Sequence, residues 1–494
     1  MKKLQLLAFD LGASNGRAVL GEFNGERITL SELHRFENHM VNQNGLYYWD
    51  ALELLRQMKT GFAAHKQRNA GKLDCFGIDT WGVDYGLLDH NGSLLGNPRC
   101  YRNSTKDDAD AAHAIVPQRT LFDRTGISSM SFNTVYQLYH RVKERDGALS
   151  AAKTLLFMPD LFGYFLTGEK ATEYSIATTS MLYDGMHRTW DSASMQALEI
   201  PQSIFTPIDF AGTLRGKLLS SVADDLGVNR IPFAAVGTHD TASAVAAIPG
   251  SGSFAFCSSG TWSLFGVETD KPVLTNKVFD ANFSNEGTVQ GGFRPLKNIM
   301  GLWLIQECRR DWIKSGRDLS WDEIVLAAES AEPFRSLINP DEAQFFAAGN
   351  MEMKIQIYCK QTGQPIPETV GQVARTIYES LALKYRHALE TLEQIKGGEP
   401  IGQLNIVGGG IQNKLLNQFA ANATGRTVVT GPVEGACAGN LLYQAVALGE
   451  LSGIEEVRSI ICRSFDTETY APADAQKWHD AYGRLLKYME AEHQ

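Results

Sequence analysis

Three glycine-bearing turns, far apart in the chain, could each aim backbone N–H groups at an anion. The first is Asp10-Leu11-Gly12-Ala13-Ser14-Asn15-Gly16-Arg17, after the apolar run 6–9. The second is Ser258-Ser259-Gly260-Thr261-Trp262-Ser263, after residues 253–257, and the third is Gly408-Gly409-Gly410, after 404–407. The first two read as strand, tight turn, strand; the third reads as strand, glycine turn, helix. Glycine accepts positive φ and lets a ligand approach the backbone closely. Short turns of this kind collect several N–H groups around one anion. Taken singly, each is weak evidence, because a hairpin with a glycine turn is the more ordinary reading. Two similar hairpins, one in each half of the chain, point to a duplicated domain with a nucleotide held between the copies.

Side chains near these turns suit phosphoryl transfer. Asp10 ends the first strand. It is either a turn residue that satisfies nearby N–H groups or a carboxylate facing Mg²⁺ through water, since Mg²⁺ keeps much of its hydration shell. Arg17 is either a solvated strand residue or a cation near the phosphates. Gly237-Thr238-His239-Asp240-Thr241 follows the apolar strand 231–236 and precedes a helix over 242–248. Asp240 or Thr241 could simply cap that helix. Beside phosphate turns, an aspartate at the mouth of an inter-domain cleft could instead accept the proton of an attacking hydroxyl. In Ile78-Asp79-Thr80-Trp81-Gly82-Val83-Asp84, Trp81 is either core or, with the neighbouring carboxylates, an aromatic wall for a sugar. The segment 297–306 reads as the start of a helix, with Asn298 as its cap or as a sugar contact.

The elements that must position these groups follow from periodicity. Residues 6–10, 17–23 and 27–36 read as successive strands, with Asn24-Gly25 as a hairpin turn between the second and third. A helix runs from Trp49-Asp50 to about Asn69, then a buried strand over 75–79, with 83–88 extended after the Trp81-Gly82 turn. Residues 101–229 look helical with loops. The strand–turn–strand pattern restarts near Ser253, and 371–394 is a helix with Val373, Ile377, Leu381, Tyr385 and Leu389 at i+4 steps. The chain then closes with strand, helix, strand, helix up to Leu448. This is an α/β layout. The turn-rich Pro249-Gly250-Ser251-Gly252 divides it into 1–248 and 249–494.

Composition bounds the partners. The 494 residues allow about three domains of ~150 residues or two larger ones, and 44% hydrophobic with 21% charged residues is ordinary for a globular protein. A net charge of −10 argues against non-specific binding of nucleic acid or an anionic membrane surface. Seven cysteines without a C-x-x-C pair give neither a zinc site nor a disulfide framework, which fits a cytoplasmic protein. The apolar stretch ending at Asp10 is too short for a signal peptide, and no run reaches the length of a membrane span.

Taken in order, DLGASNGR at 10–17, GIDTWGVD at 77–84, MPDLFGYFLTG at 158–168, THDTASAV at 238–245, SSGTWSL at 258–264, KNIMGLWLIQ at 297–306 and NIVGGGIQN at 405–413 resemble the FGGY carbohydrate kinases of the actin/hexokinase superfamily. The resemblance runs from Leu6 to about Leu448. It implies two ribonuclease H-like domains flanking a catalytic cleft: 1–248 mainly binds the sugar and 249–494 mainly binds ATP. It implies Asp240 as the base. It places Ala13, Ser14, Asn15, Gly16, Arg17, Gly260, Thr261, Gln306, Gly408, Gly409 and Gly410 around ATP. It places Gly82, His239, Asp240, Thr241 and Asn298 around the sugar. ATP is the co-substrate and Mg²⁺ the metal, with Asp10 facing it through water. Much of the family carries Thr and a later Lys in the first turn, where this chain has Ala13 and Arg17. That departure favours L-rhamnulose, phosphorylated at O1, over glycerol or D-xylulose as the acceptor. L-fuculose and L-xylulose are the alternative ketoses. An actin- or chaperone-like ATP switch is the more distant alternative.

Overall fold

The computed structural model describes residues 3–68, 71–250 and 252–491. Asn69, expected at a helix end, and Ser251, expected in the division between halves, lie outside the described residues. The chain packs into two compact units. The first comprises Met1–Gly250, Glu268–Pro295 and Glu434–Phe465, and the second Ser251–Val267, Leu296–Val433 and Asp466–Gln494. A single cut near 249–252 therefore marks only the first crossing. The chain returns to the first unit at 268 and again at 434, the second time just after Gly431-Pro432.

The first unit is built on β1 (Leu4–Leu11), β2 (Asn15–Phe23), β3 (Ile28–Glu37), β4 (Cys75–Thr80), β5 (Thr213–Lys217) and β6 (Pro232–Ala235), in the order β5-β6-β4-β1-β2-β3. Strands β1 to β3 pair antiparallel, β4 runs parallel to β1, and β6 runs parallel to β4. Side chains alternate along a strand, and both faces of β1 are apolar. Leu7, Phe9 and Leu11 share one core with Met58 and Phe62 of the helix Ala51–Gln67 and with Leu161 and Phe162 of the helix Met158–Thr167. Leu4, Leu6 and Ala8 share the other with Ala242 and Ala246 of the helix Asp240–Ala246 and with Ala438, Leu441 and Leu442 of the helix Gly435–Ala447. Each buried Leu or Phe contributes roughly 1.5–3 kcal/mol.

The second unit uses β7 (Ala255–Ser259), β8 (Trp262–Gly266), β9 (Phe293–Met300, of which Leu296 onward belongs here), β10 (Gln403–Val407), β11 (Thr427–Thr430) and β12 (Thr469–Tyr470), in the order β9-β8-β7-β10-β11-β12. Three antiparallel strands are followed by two parallel ones beside the first. That plan, β9-β8-β7-β10-β11, repeats β3-β2-β1-β4-β6 of the first unit, so the duplicated hairpin is part of a duplicated ribonuclease H-like sheet. The helix Val370–Ile395 buries Val373, Ile377, Leu381, Tyr385 and Leu389, as their spacing requires.

Four local expectations are corrected. Val83 is not extended: its φ is +68°, a rare conformation for a β-branched residue, and the strand resumes only at Tyr85. Lys297 to Met300 belong to β9 rather than a helix, so Asn298 faces Leu264 across the ladder and caps nothing; the helix begins at Trp303. His239 holds the N-cap position of the helix Asp240–Ala246, so neither Asp240 nor Thr241 is its cap. The helix Gly435–Ala447, read as continuing the second half, packs on the sheet of the first unit. All seven cysteines are free. Among the described residues, no helix is long and apolar enough to cross a membrane.

Candidate active site

Strand register sets the first part of the site. Asp10 continues the even-numbered side of β1, and Asp10 pairs with Asp79 on the parallel strand β4. Both carboxylates therefore reach the same end of the sheet, on the face covered by the helix Gly435–Ala447. Arg17, opposite Asp10 on β2, donates to Asp10 Oδ2 from Nε at 2.9 Å and from Nη2 at 2.6 Å, and pairs with Glu434 as well. Cys437 Sγ lies 3.4 Å from the same Asp10 oxygen. Asp79 is fully buried, accepts from Asn440 Nδ2 at 2.6 Å through Oδ2, and has no hydrogen-bond partner at Oδ1. Burial, with the negative charges of Asp10 and Asp240, holds the Asp79 carboxyl well above the usual carboxylate range.

The turn from β1 to β2 is closed by Gly12 N–H donating to Asn15 O at 2.8 Å. It is braced by Asn38, whose side chain donates to Gly12 O at 2.9 Å and whose N–H donates to Ser14 O at 3.0 Å. Ala13 and Ser14 in the turn, and Asn15, Gly16 and Arg17 at the start of β2, are thus held beside the Asp10 carboxylate.

The segment after β6 joins this group through β4. Thr80 N–H donates to Thr238 O at 2.9 Å and Trp81 N–H donates to Leu11 O at 3.1 Å, so the ends of β1 and β4 and the 238–241 turn are stitched together. Asp240 Oδ1 accepts from Thr241 N–H at 2.5 Å and Thr241 Oγ1 at 3.1 Å. Its side chain remains about one-third exposed. Burial of the rest pushes its proton affinity up, against the pull of His239. His239 lies between two carboxylates, with Nδ1 3.2 Å from Glu286 Oε2 and Nε2 3.5 Å from Asp240 Oδ1. The fully buried Arg294 braces Glu286 at 3.2 Å and donates to Gly287 O at 2.9 Å. Although burial raises the Glu286 carboxyl, His239 and Arg294 outweigh it and leave the group below its usual range.

Gly82 begins the strained turn. Val83 N–H donates to Thr179 Oγ1 at 3.1 Å, and Val83 O accepts from Thr134 Oγ1 at 2.7 Å. Those bonds hold a conformation that costs of order 1–3 kcal/mol, and such strain clusters at functional sites. The turn leads to Asp84, whose Oδ2 accepts from Trp49 Nε1 at 2.5 Å and Trp81 Nε1 at 3.0 Å. The two indoles lie 4.4 Å apart at 46°. Burial pushes the Asp84 carboxyl up to about 6, against these hydrogen bonds.

Within the second unit the remaining candidates also converge. Gly260 N–H donates to Trp262 O at 2.9 Å, and Gly260 O accepts from Leu302 N–H at 2.9 Å. Thr261 O accepts from Gly301 and Trp303 N–H groups, both at 3.1 Å, and Thr261 Oγ1 reaches Gln306 Oε1 at 3.3 Å. Asn298 stands two residues before Met300, the partner of Trp262. Gly408 has φ +88°, and a Cβ there would meet Ser259 O at 2.9 Å. The turn of Gly408, Gly409 and Gly410 therefore packs directly against the end of β7.

Sequence reading offers Asp79 only as a carboxylate beside Trp81 for a sugar, and misses Asn38, Glu286, Arg294, Cys437 and Asn440 as parts of this arrangement. The signals for the last two were the small residues of Gly435-Ala436-Cys437-Ala438-Gly439-Asn440, a pattern that permits close helix packing. Among the described residues, no cluster of three or more His, Cys, Asp or Glu could hold a metal ion by direct ligation. Asp10 is paired with Arg17, and Asp79 keeps one buried oxygen, Oδ1, without a hydrogen-bond partner.

Residues 5–247 match the N-terminal domain, and 255–448 the C-terminal domain, of the FGGY family of carbohydrate kinases. A rhamnulokinase of Bacteroides thetaiotaomicron is 43% identical over 484 residues, covering 97% of this chain and 98% of that protein. A rhamnulokinase of Halalkalibacterium halodurans is 40% identical, covering 95% and 99%. Among solved structures, a ligand-bound xylulose kinase from Lactobacillus acidophilus superposes with a TM-score of 0.83 at 15% identity, covering 99% and 98% of the two chains. Plasmodium falciparum glycerol kinase with ADP gives 0.78 at 14%, with the same coverage. At that identity the structural likeness carries the fold alone. With matched domains across both halves and full-length relatives near 40% identity, the chain belongs to the FGGY family of carbohydrate kinases.

Proposed function

We propose that this enzyme transfers the γ-phosphoryl group of ATP to O1 of L-rhamnulose, giving L-rhamnulose 1-phosphate and ADP. The observation that carries the substrate is the near full-length likeness to rhamnulokinases at 37–43% identity. Asp240 takes the proton of the attacking hydroxyl. Its Oδ1 is fixed by Thr241, its side chain stays accessible, and burial strengthens it as a base. His239, held by Glu286 and Arg294, orients the acceptor together with Thr241, Gly82 and Asn298. The N–H groups of Ala13, Ser14, Asn15 and Gly16, the Arg17 guanidinium, and the residues Gly260, Thr261, Gln306, Gly408, Gly409 and Gly410 bind ATP. Phosphoryl transfer is mostly positioning and charge neutralisation. Asp10, with Asp79 beside it, would hold Mg²⁺ through water, and the ion would supply further positive charge to the phosphates when bound. Seven free cysteines support a cytoplasmic location.

The test is a panel of ketoses assayed for ADP release. L-rhamnulose should give the highest kcat/KM. A higher value for L-fuculose or L-xylulose would replace the substrate and leave the kinase chemistry standing. ADP release that no sugar stimulates would overturn both.

A further inference from the structure

Glu173 lies far from Asp240 in sequence and touches no proposed substrate-binding group directly, yet it gathers the backbone that presents the base. It is fully buried, as is Ser175, and Thr238 is 1% exposed. Its Oε2 accepts from Ser175 N–H at 2.8 Å, Ile176 N–H at 3.3 Å, Thr238 N–H at 3.2 Å and Thr238 Oγ1 at 2.7 Å, and also from Ser175 Oγ. Ser175 Oγ in turn accepts from His239 N–H at 3.2 Å.

The plainer reading is a helix cap. Glu173 does cap the five-residue helix Tyr174–Thr178 through the N–H groups of Ser175 and Ile176. A cap requires only those two bonds. The Thr238 donors come from 65 residues away and serve no helix end near Glu173. Thr238 O is meanwhile held by Thr80 N–H at 2.9 Å. The residue two before Asp240 is therefore clamped on both sides, by Glu173 at its N–H and hydroxyl and by the end of β4 at its carbonyl.

Glu173 is itself anchored. Its N–H donates to Asp160 Oδ1 at 3.3 Å, and Arg215 Nη1 donates to that same oxygen at 2.6 Å. Arg215 also pairs with Asp209, which lies opposite Glu173 on a short parallel ladder. Oε2 thus gathers the donors of Ser175, Ile176 and Thr238, while Oε1 is buried without a partner.

We infer that Glu173 is a positioning residue for phosphoryl transfer, acting through Thr238 and Ser175 to set the backbone that presents Asp240. The inference rests on Asp240 being the base. A displacement of about 1 Å at a catalytic group can cost on the order of 10²-fold in rate. We expect Glu173→Gln to lower kcat by roughly 10- to 100-fold. Thr238→Val, which removes only the hydroxyl link, should lower it by a smaller factor, with ATP affinity and melting temperature retained.

The deciding measurement is a double-mutant cycle with Asp240→Asn, because groups acting through one another are non-additive. Either variant should add little to the loss already caused by Asp240→Asn. Thr238→Val keeps the question open to refutation if Glu173→Gln fails to fold. Losses that multiply independently, or wild-type kcat in a folded Thr238→Val enzyme, would overturn the positioning role. Wild-type turnover in Asp240→Asn alone would instead remove the base on which the inference rests.

Discussion

Gly439→Ala should damage catalysis without touching any proposed substrate-binding residue. Gly439 lies in the helix Gly435–Ala447 against the helix Asp240–Ala246, and a Cβ there would stand 1.9 Å from Ser243 O. Real Cβ contacts stay beyond 3.0 Å, so the helices must separate by about 1 Å. The obstacle is backbone, which cannot rotate away. Overpacking of this kind costs roughly 1–3 kcal/mol. The same movement displaces the helix that opens with Asp240, and it moves Asn440, whose Nδ2 holds Asp79 at 2.6 Å. A shift of that size at the proposed base, Asp240, should lower kcat on the order of 10²-fold. ADP release gives kcat, and denaturant unfolding gives stability. Gly483→Ala is the control: it also lies in a helix, its added Cβ meets nothing within 4 Å, and it should be neutral or stabilising by up to about 1 kcal/mol. A Gly439→Ala enzyme with wild-type kcat and stability would refute the close packing and its link to the base.

Three further outcomes are expected. Gly409 has open space around its missing Cβ and no positive φ, so Gly409→Val should fold normally. It should weaken ATP binding in a nucleotide titration, and unchanged affinity would remove this turn from the nucleotide site. Asn298→Ala should lower kcat/KM for the ketose with little change in ATP affinity, since a site built to hydrogen-bond a hydroxyl discriminates strongly; equal loss of ATP affinity would contradict the assignment. The raised Asp84 carboxyl gives a pH signature. Its folded pKa of about 6 exceeds the usual carboxylate value, so the folded state holds a proton that the unfolded state has lost. Its contribution is therefore complete below about pH 4 and is lost as pH rises through 6, a swing on the order of 3 kcal/mol. Asp84→Asn should flatten unfolding free energy against pH across that window, and an unchanged slope would assign it elsewhere.

Much of the candidate site is legible in the sequence because its residues sit at the ends of strongly patterned elements. The apolar runs before Asp10, Gly260 and Gly408 mark strand ends, and the turns that follow are local in sequence. Period-two alternation on β1 also determines which face Asp10 shares with Leu6 and Ala8. The bracing was not legible. Glu286 and Arg294 reach His239 from a segment that leaves and rejoins the first unit. Glu173 meets Thr238 across 65 residues, and no local period records such a contact. Asn298 was misplaced for a different reason. The run Ile299-Met300-Gly301-Leu302 is apolar enough for either a strand or a helix, and pairing with β8 decides it. Val83 shows a third kind of failure: β-branched propensity favours a strand, and the bonds from Thr134 and Thr179 override it.

The most direct test of the proposed chemistry is NMR of the product made from ATP and L-rhamnulose labelled with ¹³C at C1. Transfer to O1 predicts a C1 resonance split by phosphorus, with ADP formed in equal amount. ADP formed with only inorganic phosphate released, or a phosphorylated sugar whose labelled C1 shows no phosphorus coupling, would contradict it.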